Sequence, residues 1–314
     1  MIFYITVDGG TTNTRINLVK DRQIIDNVKL NIGARATIDN PDLLKKELKV
    51  AIYELLQRNC LTEKDIIRVL ASGMITSEFG LCNLPHIETP AGVYELHNHV
   101  HETIISEITN IPFVFISGVK TCSQDFENTD IMRGEETELM GICEACYGTA
   151  MYVLPGSHSK IIRIDTHGRI CDFSTMLTGE MIASLSQSTI LKDAVDLSVT
   201  NTDTEYLLKG HDYCCKVGIN QALFKVRVLK NIFKKSKEEI YSFFIGIILC
   251  NEITQIIKSD AKTVVLGGKA QLKNAMAEIL QSRIDKKIIV LDEETVNSST
   301  TVGAIKIFEG GYIQ

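Results

Sequence analysis

Phe3 to Val7 is a short run of aromatic and β-branched residues that predicts a buried strand. Arg15 to Lys20 and Gln23 to Lys29 predict two more strands, separated by a turn at Asp21-Arg22. Between Pro41 and Asn59 the period lengthens to that of a helix, with Leu43, Leu44, Leu48, Ala51, Leu55 and Leu56 on one face. Ile66 to Ala71 reads as a strand, Val93 to Ile108 as a helix and Phe113 to Ser117 as a strand. The second half repeats the order. Met151 to Leu154 is a strand ending in a Gly-Ser-His turn, and Lys160 to Asp165 with Arg169 to Thr175 form a hairpin around His167-Gly168. Gly179 to Leu191 reads as a helix, and a helical insertion follows. The strand Thr263 to Leu266 then runs into Gly267-Gly268, before a helix to Ser282, a strand from Lys287 to Leu291 and a helix from Val296 to Phe308. Two β-β-β-α-β-α units are an internal repeat.

The repeat predicts an α/β protein of two domains, expected at 1–133 and 134–314. That division suits a chain of 314 residues, which is long for one core. Each half opens on a strand followed by a turn of glycine and hydroxyl residues. In the first, Ile5 to Arg15 reads Ile-Thr-Val-Asp-Gly-Gly-Thr-Thr-Asn-Thr-Arg. Such a segment delivers Asp8 to a strand end, where metal-bound phosphate can be met. Gly9 and Gly10 allow a tight turn whose N–H groups can face an anion. Thr11, Thr12 and Asn13 add short donors. An ordinary hairpin turn is the competing reading, because Asp-Gly and Gly-Gly are common hairpin dipeptides. The second turn, at Gly156 to Ser159, sets two anion-binding hairpins facing each other across a cleft.

Composition narrows the classes. Hydrophobic residues make up 45% and charged residues 23%, as in ordinary globular proteins. A net charge of −6 gives no support for nucleic-acid or anionic-membrane binding. The basic run Lys225 to Lys237 lies in a helical pattern and reads as a solvated face. No run of about 18 apolar residues suggests a membrane span. A strand begins within two residues of Met1 with no signal peptide before it, and the nine cysteines suit reduced thiols in the cytoplasm. Cys143 and Cys146 stand one helical turn apart in a segment, Glu138 to Ala150, that reads as helix and core. His97, His99 and His101 share a face only on a strand, whereas Val93 to Thr109 reads as helix.

The order of motifs resembles the sugar-kinase, actin and heat-shock chaperone superfamily. Asp8 to Thr12, Gly156 to Ser159 and Gly267-Gly268 stand where that superfamily has its two phosphate hairpins and its turn against adenosine. A narrower resemblance rests on Ala71-Ser72-Gly73-Met74-Ile75, Thr89-Pro90-Ala91-Gly92, Met132-Arg133-Gly134-Glu135-Glu136-Thr137, Leu154-Pro155-Gly156-Ser157-His158-Ser159-Lys160 and Leu177-Thr178-Gly179-Glu180. These runs resemble the 2-dehydro-3-deoxygalactonokinase family over nearly the whole chain. Gly9 stands where the family usually carries Trp, and Ser157 where it carries Thr; Ala194 to Lys237 matches least. The resemblance implies two actin-like, ribonuclease H-like βββαβα domains and transfer of the ATP γ-phosphate to the 6-hydroxyl of 2-dehydro-3-deoxy-D-galactonate. It also implies a small sugar acid as partner, with no nucleic acid or membrane, and leaves a homodimer open.

Phosphoryl transfer to an alcohol needs a proton acceptor, Mg²⁺ and donors around the phosphates. The chain has no P-loop, no protein-kinase loops and no dinucleotide fingerprint. Asp8 suits hydrated Mg²⁺, which needs only one or two carboxylates. By the resemblance, the base stands about 20 residues before the second hairpin; Gly156 follows Glu136 by 20 positions and Glu135 by 21. Adjacent helical positions point about 100° apart, so one glutamate faces the reaction and the other caps the helix. Glu135 is the first choice and Asp130 a weaker third. Gly10, Thr11, Thr12, Asn13, Gly156, Ser157, Gly179, Glu180, Gly267 and Gly268 are expected around ATP, the N–H groups of Thr178-Gly179-Glu180 among them. Arg15, Arg133 and Lys160 are the candidate cations for the substrate carboxylate. Ser72, Gly73, Met74, Pro90, Ala91 and His158 complete the expected sugar pocket. A kinase of the same fold for another sugar, such as 2-dehydro-3-deoxygluconate, and an ATP-binding switch without enzyme activity are the alternatives. A nucleic-acid-binding repressor lacks both a helix-turn-helix extension and a basic balance.

Overall fold

The fold was obtained as a computed structural model, which describes residues 1–38, 40–123, 125–143, 150–268 and 270–310. The chain divides into two compact units: Met1–Gly148, Ile164–Asp172 and Glu294–Gln314 form the first, and Thr149–Arg163 with Phe173–Glu293 the second.

In the first unit β1 (Phe3–Gly9), β2 (Thr14–Lys20) and β3 (Gln23–Leu30) form an antiparallel meander. After α1 (Leu43–Arg58), β4 (Ile66–Gly73) lies parallel to β1, and β7 (Phe113–Phe115) parallel to β4. α1 buries Leu44, Leu48, Ala51, Ile52, Leu55 and Leu56 in one core with Ile5, Val7, Ile16 and Leu18. Each buried Leu or Ile contributes about 1.5–3 kcal/mol relative to exposure. The predicted helix over Val93 to Ile108 is corrected. α2 (Val93–His97) ends after five residues, and β6 (His101–Thr103) pairs with β7 instead. Leu96 is the one buried residue of α2, whereas the edge of β7 offers backbone partners. The three histidines therefore do not share a face: His97 Nδ1 lies 2.9 Å from Ile307 O, His99 Nδ1 lies 2.8 Å from Glu95 O, and His101 is on β6. A small sheet of β5 (Ile87–Glu88), β8 (Val119–Lys120) and β9 (Ile131–Met132) was not expected, because two-residue strands leave no period to read.

α3 (Glu135–Ile142) and most of α10 (Glu293–Phe308) belong to the first unit, so the division differs from the boundary expected at 133/134. The reason is close packing. A Cβ on Gly141 would stand 1.9 Å from Ser299 O, and one on Gly303 would stand 1.8 Å from Thr137 O, so the two helix backbones touch. α10 is also tied to the meander, where Thr301 Oγ1 lies 3.0 Å from Thr6 Oγ1 and accepts from Asn17 Nδ2 at 2.8 Å. α3 ends at Ile142, and Cys146 lies outside the described residues.

The sheet of the second half is β12 (Ile170–Met176), β11 (Ser159–Ile164), β10 (Met151–Leu154), β13 (Thr263–Leu266) and β14 (Lys287–Val290), in that spatial order. It reproduces β3-β2-β1-β4-β7: β10 is antiparallel to β11 and parallel to β13, and β13 is parallel to β14, just as β1 is antiparallel to β2 and parallel to β4, and β4 is parallel to β7. The internal repeat read from the sequence is thus present in both sheets. α4 (Thr178–Ser188) and α9 (Ala270–Arg283) accompany it. The insertion consists of α5 (Thr204–Val217), α6 (Ile219–Asn231), α7 (Lys237–Ile248) and α8 (Cys250–Lys258). α7 is buried from Ile240 to Ile248. No single helix among the described residues is long and apolar enough to cross a membrane. The basic run is engaged locally: Lys237 pairs with Asp196 at 2.7 Å, Lys235 with Glu239 at 3.0 Å, and Arg227 donates to Ile190 O at 2.6 Å.

Candidate active site

Asp8 ends β1. The antiparallel register sets it opposite Arg15, and the parallel register sets it opposite Ser72. Gly73 then turns the chain at φ +83°, and a Cβ there would stand 2.5 Å from Gly9 O. Gly134, at φ +113°, approaches Gly73 so closely that its own Cβ would lie 3.2 Å from Gly73 Cα. Because Gly134 opens α3, this approach carries the helix N-terminus to the end of β1.

Three carboxyls gather there. Burial pushes Asp8 above the usual carboxylate range, Arg15 opposes the rise and Glu135 adds to it. Burial likewise pushes Glu138 up to about 8, with Asp8 and Glu135 adding and Arg15 opposing. Glu135 and Glu138 are three residues apart on α3, on neighbouring parts of one face. Glu138 was not singled out from the sequence. Its one signal was that spacing behind Glu135.

Glu136 serves a different end. It is fully buried, its two carboxylate oxygens accept the Gly134 N–H at 2.9 and 2.8 Å, and Oε1 accepts the Thr137 hydroxyl at 3.0 Å. It closes the helix start, as expected of one of the two adjacent glutamates. Glu135 is half-buried, and its Oε2 accepts the Arg133 N–H at 3.1 Å. Asp130 sits in the small sheet's hairpin, where its Oδ1 accepts the Ile131 N–H at 2.7 Å.

The candidate cations fare differently. Arg15 is exposed beside the acids. The guanidinium of Arg133 is engaged within its own unit: Nη1 donates to Thr76 O at 2.6 Å and Thr76 Oγ1 at 2.8 Å, and Nη2 to Leu84 O at 2.9 Å. It braces the loop that leaves Gly73. Lys160 is buried at the start of β11 and already partnered.

Thr11, Thr12 and Asn13 form the exposed tip of the first hairpin, which is closed by the Gly10 N–H donating to Asn13 O at 2.8 Å. The carbonyls of Gly10 and Thr11 accept the N–H groups of Ala34 and Arg35, both at 3.0 Å, so the turn is held from behind. At Gly9 a Cβ would stand 2.7 Å from Ile75 Cβ and 3.0 Å from Ile75 N. The space a larger residue would need is taken by Ile75. Met74 is half-buried and begins the turn Met74–Thr76. Pro90 precedes Ala91, which exchanges hydrogen bonds of 3.0 and 2.8 Å with Ile170. A cavity of about 510 Å³ in this unit is lined by Gly92, Tyr94, Met140, His167, Arg169 and Lys306, among others. It lies toward the far end of α3 from Glu135, away from the acids.

In the second unit three predicted segments meet. The Gly179 N–H donates to Gly156 O at 3.1 Å and Ser157 O at 3.0 Å, and the Glu180 N–H to Ser157 O at 3.3 Å. These amides hold the second hairpin from behind. Gly179 is required by the contact, since a Cβ would stand 2.6 Å from Gly156 O. The Gly267 N–H donates to Val153 O at 2.9 Å, and a Cβ on Gly268 would stand 2.4 Å from Pro155 O. Gly156 is different, because among the described residues a Cβ there would meet nothing closer than His158 O at 3.9 Å. Packing among the described residues gives no reason for glycine at that tip, whereas a ligand approaching the backbone would. His158 Nε2 lies 2.9 Å from Glu180 Oε1, so these two expected ligand contacts pair with each other.

Two sheets of one repeated order, each led by a glycine-hydroxyl hairpin, give the chain an actin-like α/β fold. The sequence profile of 2-keto-3-deoxy-galactonokinase matches residues 8–301. The chain belongs to that family and is a sugar kinase. It is 26% identical over 270 residues to the 2-dehydro-3-deoxygalactonokinase of Escherichia coli K12, spanning 84% of this chain and 85% of that protein. Its fold is similar to the crystal structure of a candidate 2-dehydro-3-deoxygalactonokinase from Sinorhizobium meliloti, with a TM-score of 0.80, 20% identity, and 99% of this chain and 97% of that one covered. It is also similar in fold to the ADPNP-bound activator of 2-hydroxyisocaproyl-CoA dehydratase from Clostridium difficile, with a TM-score of 0.53, 15% identity, and coverage of 98% and 96%.

Proposed function

We propose that the protein transfers the γ-phosphoryl group of ATP to the 6-hydroxyl of 2-dehydro-3-deoxy-D-galactonate, a step of galactonate catabolism. The observation that carries this reading is the gathering of Asp8, Glu135 and Glu138 beside Arg15 in a chain of this kinase family. Glu135 accepts the proton of the attacking hydroxyl. Burial and its neighbours push Glu138 up to about 8, which sets it apart from the role of proton acceptor at neutral pH. Glu136 is left out, because its oxygens hold the start of α3.

The residues present suit Mg²⁺. Acidic side chains crowd Asp8, and the buried Ser72 Oγ across from it has no hydrogen-bond partner among the described residues. Asp8 would hold the ion through water. When bound, the ion neutralises charge on the β- and γ-phosphates. In the first unit the hairpin tip, Gly10 to Asn13, offers donors to phosphate; in the second unit the tip at Gly156 and Ser157 does the same, and Gly267-Gly268 is the turn for adenosine. Arg15 takes the substrate carboxylate, and Arg133 is withdrawn from that role. No described cysteine is joined in a disulfide, in keeping with a cytoplasmic place of action.

The test is to incubate the protein with ATP, Mg²⁺ and, separately, 2-dehydro-3-deoxygalactonate, 2-dehydro-3-deoxygluconate and galactose. Phosphorus and carbon NMR then locate any ester formed. A 6-phosphate made fastest from the galactonate derivative supports the reading. Preference for either other acceptor overturns it.

A further inference from the structure

The inserted helices hold a cluster of metal-ligating groups that phosphoryl transfer does not use. α5 presents His211 and Cys215 one turn apart on the same face, and Cys250 begins α8 at the bend that follows α7. His211 Nε2 lies 3.7 Å from Cys215 Sγ, and Cys215 Sγ lies 3.3 Å from Cys250 Sγ. All three ligand atoms fall within 4.8 Å of one another. A fourth thiol, Cys214, neighbours Cys250. We propose that His211, Cys215 and Cys250 form a zinc site that clamps α5 to the α7–α8 bend.

The spacing fits the ion. Tetrahedral zinc, with Zn–S of about 2.3 Å and Zn–N of about 2.0 Å, sets two sulfurs about 3.8 Å apart and a sulfur and a nitrogen about 3.5 Å apart. The separations of 3.3 and 3.7 Å need shifts of about 0.5 and about 0.2 Å, and the His211–Cys250 pair, within 4.8 Å, is to settle at about 3.5 Å. The histidine is also oriented for the task. Its Nδ1 faces Asp212 Oδ1 at 3.1 Å, and Asp212 is anchored by Arg283 at 2.6 Å. That contact assigns the proton to Nδ1 and leaves the lone pair on Nε2, the nitrogen beside the sulfurs, as in carboxylate–histidine–zinc arrangements. Two thiolates and a neutral imidazole balance the charge of a soft divalent ion and disfavour Mg²⁺. His211 and Cys250 are buried and Cys215 is exposed, so a fourth position opens to water on the Cys215 side. Binding releases the two thiol protons.

The test uses full-length, tag-free protein stripped by a chelator and titrated with Co²⁺, then Zn²⁺. One equivalent of Co²⁺ is expected to give thiolate charge-transfer and tetrahedral d–d absorption, which Zn²⁺ abolishes. Cys215→Ser and His211→Ala should lose that spectrum while circular dichroism shows them folded. Cys60→Ser, an exposed thiol of the first unit, should keep it. Folded wild-type protein that gives no cobalt–thiolate absorption overturns the proposal. Absorption that persists in Cys215→Ser does so too, as does recovery of a Cys215–Cys250 disulfide from protein purified without metal. The readout is independent of kinase activity and of the substrate assigned above.

Discussion

Both carboxylate oxygens of Glu136 accept the N–H of Gly134, at 2.9 and 2.8 Å, and so the second of two adjacent glutamates closes the start of α3. Burial, reinforced by the charge of Glu135, pushes Glu136 to about 7. Its folded value lies above the ordinary 4.5, so the folded state binds the extra proton between those limits. Stability is fullest below that window and falls as pH rises through it, by an amount on the order of 3 kcal/mol. Glu136→Gln should flatten this decline. Urea unfolding at about pH 5 and about pH 8 checks it, and an unchanged pH dependence in the variant would contradict the assignment.

Arg133 ties Thr76 and Leu84 to the segment ahead of α3. Arg133→Ala should cost about 1–3 kcal/mol, because it strands buried acceptors. The loss should appear as a lower thermal midpoint, with KM for the sugar acid changed less than in an Arg15 variant. A full loss of affinity for the acid with unchanged stability would restore Arg133 as a substrate cation.

Arg15 is the exposed cation beside the acids. A charge-assisted hydrogen bond is worth about 1.5–3 kcal/mol, so Arg15→Gln should raise KM for the sugar acid roughly 10- to 100-fold. KM for ATP should stay within about 2-fold. Steady-state kinetics in both substrates decides it. Equal rises in the two constants would mean that Arg15 acts on the fold or the nucleotide.

Gly179 touches the second hairpin through its backbone. Gly179→Ala favours the helix by about 1 kcal/mol in propensity but drives a Cβ into the Gly156 carbonyl. The expected result is a raised KM for ATP with helicity retained. An unchanged KM for ATP, measured beside circular dichroism, would show that the hairpin does not serve the nucleotide.

Much of this was legible in the sequence because it is written in short-range patterns. The meander of β1 to β3, the stripe on α1 and the Asp8 turn each depend on residues within a few positions. The register then brought Arg15 and Ser72 to Asp8, which the position of each motif at a strand end had suggested. What escaped notice depends on long-range contact. Glu138 carries no local signal beyond its place in a helical stretch, and its role depends on β1 ending beside it. Arg133 reads as a free cation until the loop after Gly73 folds onto it. Cys250 lies 35 residues from Cys215, with none of the spacing of a zinc finger. Residues 101–103 carried a helical period, and the open edge of β7 outweighed it.

The central claim is that this chain phosphorylates a sugar acid through a carboxylate at the start of α3. The most direct measurement is ADP release with and without 2-dehydro-3-deoxygalactonate, in the wild type and in Glu135→Gln. The account predicts turnover that depends on the acceptor and falls by about 100-fold or more in the variant, with ATP binding retained. ADP release no faster with the sugar acid than with water, or a variant as active as the wild type, would contradict it.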